Sequence, residues 1–194
     1  MDLLNSSSRQ FRLLVSGALA CFPRPEFSDS FVTYDIITPI AALGLIEGIH
    51  WKPAIRWRIH TIHLLAPPQM TDLQVPRGAV RAIAEPRWAL DFNFELTSRT
   101  GPRDSVEAHE AMFIRKARRM PSRQGFLGLS DFPAAMRLVP TVVPLIRTVA
   151  VPDVDFGWLP FERVPQDTRR FRYFRARSRA GEVVLPTAGE NVFS

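Results

Sequence analysis

Residues 88–96, WALDFNFEL, decide the fold class. Trp88, Leu90, Phe92, Phe94 and Leu96 alternate strictly with Ala89, Asp91, Asn93 and Glu95. Successive side chains of a strand point to opposite faces, so this spacing predicts a strand with one face on a core and one polar face.

Working outward, residues 54–65, AIRWRIHTIHLL, read as a second strand, and residues 10–20, QFRLLVSGALA, as a first one nearer the N-terminus. Between these two lies a helix over 39–50. Thr38 suits its N-cap, and Pro39 suits the first helical position, where a missing N–H costs nothing. On the other side, residues 105–119 read as a second helix. Asp104 and Glu107 have capping-box spacing there, and Pro121 stops the chain. Residues 125–139 read as strand or loop, and the tail over 155–186 as short strands. The resulting order is strand, helix, strand, strand, helix, strand. It predicts an α+β protein of ferredoxin-like (RRM-type, βαββαβ) fold over 1–140, with a small C-terminal antiparallel β-sheet in a β-rich, Arg-rich extension over 141–194.

The 194 residues suit one domain with a small appendage. No apolar run reaches the length of a membrane span, and the N-terminus lacks a signal-peptide layout, so a cytoplasmic protein without membrane contact is expected. Cys21 is the single cysteine, which excludes an intramolecular disulfide framework and a multi-cysteine zinc site. Net charge is +6, and of 25 basic residues only Lys52 and Lys116 are lysines. Guanidinium groups suit bidentate phosphate contact and stacking on bases. They concentrate in two runs, 99–123 and 161–180, where nucleic-acid contact competes with an ordinary solvated surface. In the second run, Arg alternates with Phe171, Tyr173 and Phe174.

Several chemistries fall away. His60 and His63 lie three apart on a predicted strand, so they are expected on opposite faces and no metal is expected there. His109-Glu110 begins like a zincin helix, but Phe113 stands where the second His belongs. No dinucleotide fingerprint, phosphate-binding loop or nucleophile elbow is present, and no cofactor is expected. Metal-free acid–base chemistry by His50 and His109 remains, because imidazole exchanges protons near neutral pH.

Longer motifs narrow this further. The stretch CFPRPEFSDSFVTYDIITPIAALGLIEGIHWKPAIRW (21–57) is followed by EAHEAMFIRKARR (107–119), GFLGLSDFPAAMRLV (125–139), and then FGWLPFE and FRYFRARSRAGEVVLP near the end. In this order they resemble the CRISPR-associated Cas-five family, subtype I-C (d-type) branch. The matching positions include Cys21, Phe22, Arg24, Pro25, Glu26, Tyr34, Asp35, Thr38, Pro39, Gly44, Glu47, Trp51, Lys52 and Pro53. The chain between Pro68 and Arg87 is shorter than the family pattern, so a trimmed, thumb-like insertion is expected.

The resemblance implies a subunit that holds the repeat-derived 5′ handle of a CRISPR RNA inside a type I, Cascade-like surveillance complex for antiviral defence. Its partners would be Cas-seven and Cas-eight type subunits, with target DNA reached through the complex. The alternative is a metal-independent endoribonuclease that cuts the CRISPR repeat of the precursor RNA and leaves a 2′,3′-cyclic phosphate. Carried over by position, the catalytic candidates are His50 and His109, while the family's lysine position holds Ala108, with Arg103 or Arg115 as possible substitutes. Losing a group that stabilises transition-state charge typically costs about two to three powers of ten in rate, so whether this chain is an enzyme turns on that position. RNA contact is expected from Arg24, Tyr34, Lys52, Arg115, Lys116, Arg118, Arg119, Arg170, Arg172, Arg175 and Arg177, with Trp51 available for stacking.

Overall fold

The computed structural model describes residues 6–27, 29–119, 125–147, 149–164, 167–187 and 192–193, so the expected stop at Pro121 lies outside the described residues. The chain is an α+β protein in which strands predominate. Its strands are β1 (Phe11–Ser16), β2 (Leu19–Ala20), β3 (Phe31–Val32), β4 (Ile55–Leu64), β5 (Gln69–Val75), β6 (Gly78–Ala84), β7 (Arg87–Leu96), β8 (Ala135–Val139), β9 (Val154–Val164), β10 (Asp167–Ser178), β11 (Glu182–Val184) and β12 (Val192–Phe193). Among the described residues there are two helices, α1 (Pro39–Ile49) and α2 (Val106–Arg119).

The central sheet runs β11–β4–β7–β1–β8, and all its neighbours are antiparallel. β7 carries the WALDFNFEL alternation and sits in the middle. Its Trp88, Leu90, Phe92 and Phe94 are buried with Phe11, Leu13 and Val15 of β1 and Trp57, Ile62 and Leu64 of β4. Each such side chain contributes about 1.5–3 kcal/mol when fully buried. Phe113 of α2 enters this layer, its ring 5.0 Å from Phe11, 4.8 Å from Trp57 and 5.7 Å from Phe92. α1 adds Ala42, Leu45, Ile46 and Ile49. It starts as expected: the Thr38 hydroxyl accepts from the Ala41 N–H at 3.3 Å, with Pro39 at the first helical position.

Four details refine or depart from what the sequence predicts. The first concerns His60 and His63. A bulge between Ile59 and Thr61 shifts the register of β4 against β7, so both histidines share the polar face. His60 meets Asn93 at 2.8 Å and His63 meets Asp91 at 2.9 Å. Among the described residues, no group of three or more His, Cys, Asp or Glu is arranged to hold a metal. On the same face, Arg12 grips Asp91 with two bonds of 2.6 Å, and Glu182 lies 3.4 Å from His63 and 3.6 Å from Arg147.

Second, the strand expected over 10–20 breaks at Gly17. β2 leaves the central sheet and pairs with β6, which also pairs with β3 and forms a hairpin with β5. That hairpin lies within residues 68–87, for which no element is predicted from sequence. Third, residues 125–134 form a tight turn packed on the Cys21 segment, and only 135–139 is strand. Gly128 has φ +89°, and a Cβ there would lie 1.6 Å from the Cys21 carbonyl oxygen, so this close approach requires glycine. Fourth, the tail holds a long β9–β10 hairpin rather than short strands, irregular at three register shifts. β12 pairs with β10, while β11 returns to the edge of β4. No described helix is long and apolar enough to cross a membrane.

Candidate active site

His50 and His109 lie 59 positions apart in sequence and meet where the end of α1 passes the first turns of α2. His50 is the C-cap of α1, and its N–H reaches the Ile46 carbonyl. Its own carbonyl accepts from the indole N–H of Trp57 at 2.7 Å, which ties the cap to the core. His109 lies one turn before Phe113, so the aromatic layer that seats Phe113 also seats His109, edge-on to Phe94 at 6.1 Å. The two imidazoles approach at 3.1 Å, His50 Nε2 to His109 Nδ1.

Two further groups complete the arrangement. The Lys116 ammonium lies 3.3 Å from His50 Nδ1, and Asp104 Oδ1 lies 2.9 Å from His109 Nε2. The capping-box spacing assigns Asp104 to the start of α2. The structure instead caps α2 with Ser105, whose hydroxyl accepts from the Ala108 N–H, and this frees Asp104 for His109. Lys116 is expected from sequence only as an RNA contact. Seven positions beyond His109, it falls two helical turns further along nearly the same face, a spacing that could have singled it out.

The electrostatics follow from this packing. His50 is 1% exposed and His109 fully buried. Burial first, then the charges of Lys116, His109 and Lys52, push the His50 imidazole down to about 4, so it is neutral at pH 7. The Gly101 N–H and then the His109 hydrogen bond hold the Asp104 carboxyl below its ordinary value. The array therefore links the Lys116 ammonium to the Asp104 carboxylate through two imidazole rings, of which His50 is neutral.

The remaining expected RNA contacts fall into three groups. Lys52, Arg115, Arg118 and Arg119 are exposed around the site, as is Trp51 at 56%. Arg170 is exposed on β10; Arg175 and Arg177 are exposed but both paired with Asp155, and half-buried Arg172 is paired with Glu162. Arg24 is half-buried, 2.8 Å from Asp35, and its guanidinium lies 4.5 Å over the Tyr34 ring. Tyr34 itself is only 2% exposed, so its ring is packed rather than open for stacking.

Known proteins extend this picture. A curated relative, the CRISPR pre-crRNA endoribonuclease Cas5d of Mannheimia succiniciproducens, is 26% identical over 92% of this chain and 96% of its own. The protein of the same description from Thermus thermophilus is 45% identical over a shorter stretch, 29% of this chain and 24% of its own. Among solved structures, one described as a CRISPR-associated protein has a TM-score of 0.82 at 18% identity, covering 98% of this chain and 99% of that one. SMU1763c of Streptococcus mutans, described as functionally uncharacterized, has a TM-score of 0.78 at 20% identity, covering 97% and 98%. At these identities the two structures speak for the fold. The family model described as CRISPR-associated protein (Cas_Cas5) matches residues 11–154, three quarters of the sequence, and the chain belongs to that family, in its Cas5d branch.

Proposed function

We propose that the protein binds the repeat of a CRISPR RNA, cuts it without a metal, and keeps hold of the 5′ handle as a subunit of a Cascade-like complex. The observation that carries this reading is the Lys116–His50–His109–Asp104 array, which joins the two histidines named by the family resemblance to a cation and a carboxylate. In the reaction, the ribose 2′-oxygen attacks the adjacent phosphorus. The O2′–P bond forms, the P–O5′ bond breaks, and a proton lost from O2′ is matched by one gained at O5′. The products are a 2′,3′-cyclic phosphate and a 5′-hydroxyl. The names of both curated relatives support this reading.

The backbone supports an RNA-binding role as well. β1, α1, β4, β7, α2 and β8 follow one another with sheet order β4–β7–β1–β8, consistent with a ferredoxin-like arrangement shared by RRM-type proteins. The exposed Arg115, Arg118, Arg119 and Lys52 would meet phosphates and Trp51 would stack a base. The β9–β10 hairpin, with Arg170 and Arg172 on one face of β10 and Arg175 and Arg177 on the other, offers further basic groups. Association with Cas-seven and Cas-eight type subunits, and through them with target DNA, belongs to the same proposal.

A second reading, a handle-binding subunit that does not cut, is favoured by Ala108 and by the burial of both imidazoles. Incubation with the cognate repeat RNA in EDTA, run on a denaturing gel beside a mobility-shift assay, separates the two. A single cut that disappears in His109→Ala supports the nuclease. Salt-sensitive binding without a cut supports the holder. Ala at Arg115, Arg118 and Arg119 then flattens the salt slope by about 0.7 for each phosphate no longer neutralised.

A further inference from the structure

We infer that Lys116 is the catalytic cation of this site, the group that touches the scissile phosphate, and that His50, His109 and Asp104 are positioning residues acting through it. The inference rests on the cleavage reading above.

Three observations lead here. The first is access. His50 and His109 are shut off from solvent, and the Trp57–His50 bond holds that end of α1 against the core. Neither imidazole can meet a ribose hydroxyl while the fold stays closed. Lys116 is exposed, and it is the end of the array from which a cation faces solvent.

The second is direction. An ammonium has three donors and no acceptor, so Lys116 Nζ must donate to His50 Nδ1. A neutral His50 then carries its proton on Nε2 and donates to His109 Nδ1. His109 in turn carries its proton on Nε2 and donates to Asp104 Oδ1. Every ring nitrogen is used, and only one arrangement of protons satisfies all three hydrogen bonds. A two-ring spacer with a carboxylate behind it fixes the ammonium in place, which solvent-exposed lysines ordinarily lack. The low proton affinity of His50 agrees with this arrangement, because Lys116 is among its causes.

The third is capacity. One Lys116 proton is spent on His50 and two remain to face phosphate oxygens. Charge builds on those oxygens as the O2′–P bond forms, and a fixed cation stabilises it most in the transition state. Lys116 keeps its proton throughout, and the O2′ and O5′ protons are exchanged with water. Position 108 carries a methyl group and cannot do this.

The test is single-turnover cleavage of repeat RNA in EDTA by wild type, Lys116→Ala, Lys116→Arg, and Lys116→Ala combined with Ala108→Lys. Binding is read by mobility shift, and imidazole tautomers by 15N NMR of the RNA-free protein. Lys116→Ala is expected to cut about 100- to 1,000-fold more slowly while binding RNA within about threefold. The Arg variant and the relocated lysine should recover part of the rate. Wild-type spectra should show both rings as neutral Nε2–H tautomers, with His50 losing that preference in Lys116→Ala. Equal cutting by wild type and Lys116→Ala overturns the inference and leaves the nuclease standing. A drop in binding as large as the drop in rate also overturns it, since Lys116 then does no more than hold a phosphate in the ground state. No cutting by wild type overturns the cleavage reading, and the catalytic role of Lys116 falls with it.

Discussion

Asp91→Asn tests the polar face of the central sheet. The Asp91 carboxylate receives Nε and Nη2 of Arg12, each at 2.6 Å, and Nε2 of His63 at 2.9 Å. Arg12 and Asp91 keep only 12% and 13% of their side-chain exposure, so solvent screens the pair weakly. Burial pushes the carboxyl up, but the hydrogen bonds and charges of Arg12 and His63 outweigh it and hold the group at about 2 against an ordinary 3.8. That gap is worth about 2.5 kcal/mol. The folded value lies below the unfolded one. The contribution is therefore complete above about pH 4 and fades as pH falls toward 2. Asparagine keeps one acceptor but removes the charge, leaving a nearly buried guanidinium without its counter-ion, so Asp91→Asn should cost about 2–3 kcal/mol at pH 7. Urea unfolding of both proteins from about pH 2.5 to pH 7 reads this directly. The two stabilities should converge as pH drops. A deficit below about 0.5 kcal/mol at pH 7, or one that stays constant across the series, would refute the assignment of a strong ion pair here.

Two more expectations concern stability. His50, neutral to about pH 4, binds protons less readily folded than unfolded, so stability should rise by about 3 kcal/mol between pH 4 and 6.5 and then level off. His50→Gln should flatten that limb in denaturant titrations, and an unchanged slope would contradict the burial argument. Gly128→Ala drives a methyl into the Cys21 carbonyl at a positive φ, and calorimetry should show destabilisation by about 3 kcal/mol or more, with a change under about 1 kcal/mol arguing against the close approach.

The parts of this fold legible in sequence are those with an unbroken period. β7 alternates over its whole length, and α1 has a Thr–Pro start, so both fall where the spacing puts them. Bulges defeat the same method. One extra residue near His60 reverses the parity on which the His60–His63 argument depends, and three register shifts disguise a long hairpin as short strands. The β5–β6 hairpin does carry a local signal, Val75-Pro76-Arg77-Gly78, with Pro and Gly where a tight turn wants them. The site divides the same way. His50 and His109 are picked out by resemblance, and Asp104 and Lys116 lie at local spacings from His109, but the meeting of Lys116 and His109 with His50 depends on how α1 ends against α2, which no local pattern encodes. The arginines of β10 read as a basic surface, yet Asp155 and Glu162 already occupy three of them.

The return of β11 to the edge of β4 has a consequence for the order in which the protein can be made. Val183 and Val184 pair with Ile62 and Thr61, and the Leu185 N–H reaches the His60 carbonyl at 2.8 Å. During synthesis, β4 leaves the ribosome more than a hundred residues before its edge partner exists. Through that interval the nascent sheet shows a row of open N–H and C=O groups to every neighbouring chain. Joining strands so distant in sequence is also slow. Overproduction should therefore fail first by strand-to-strand aggregation of half-made chains, and translation that is slow before residue 182 should make it worse.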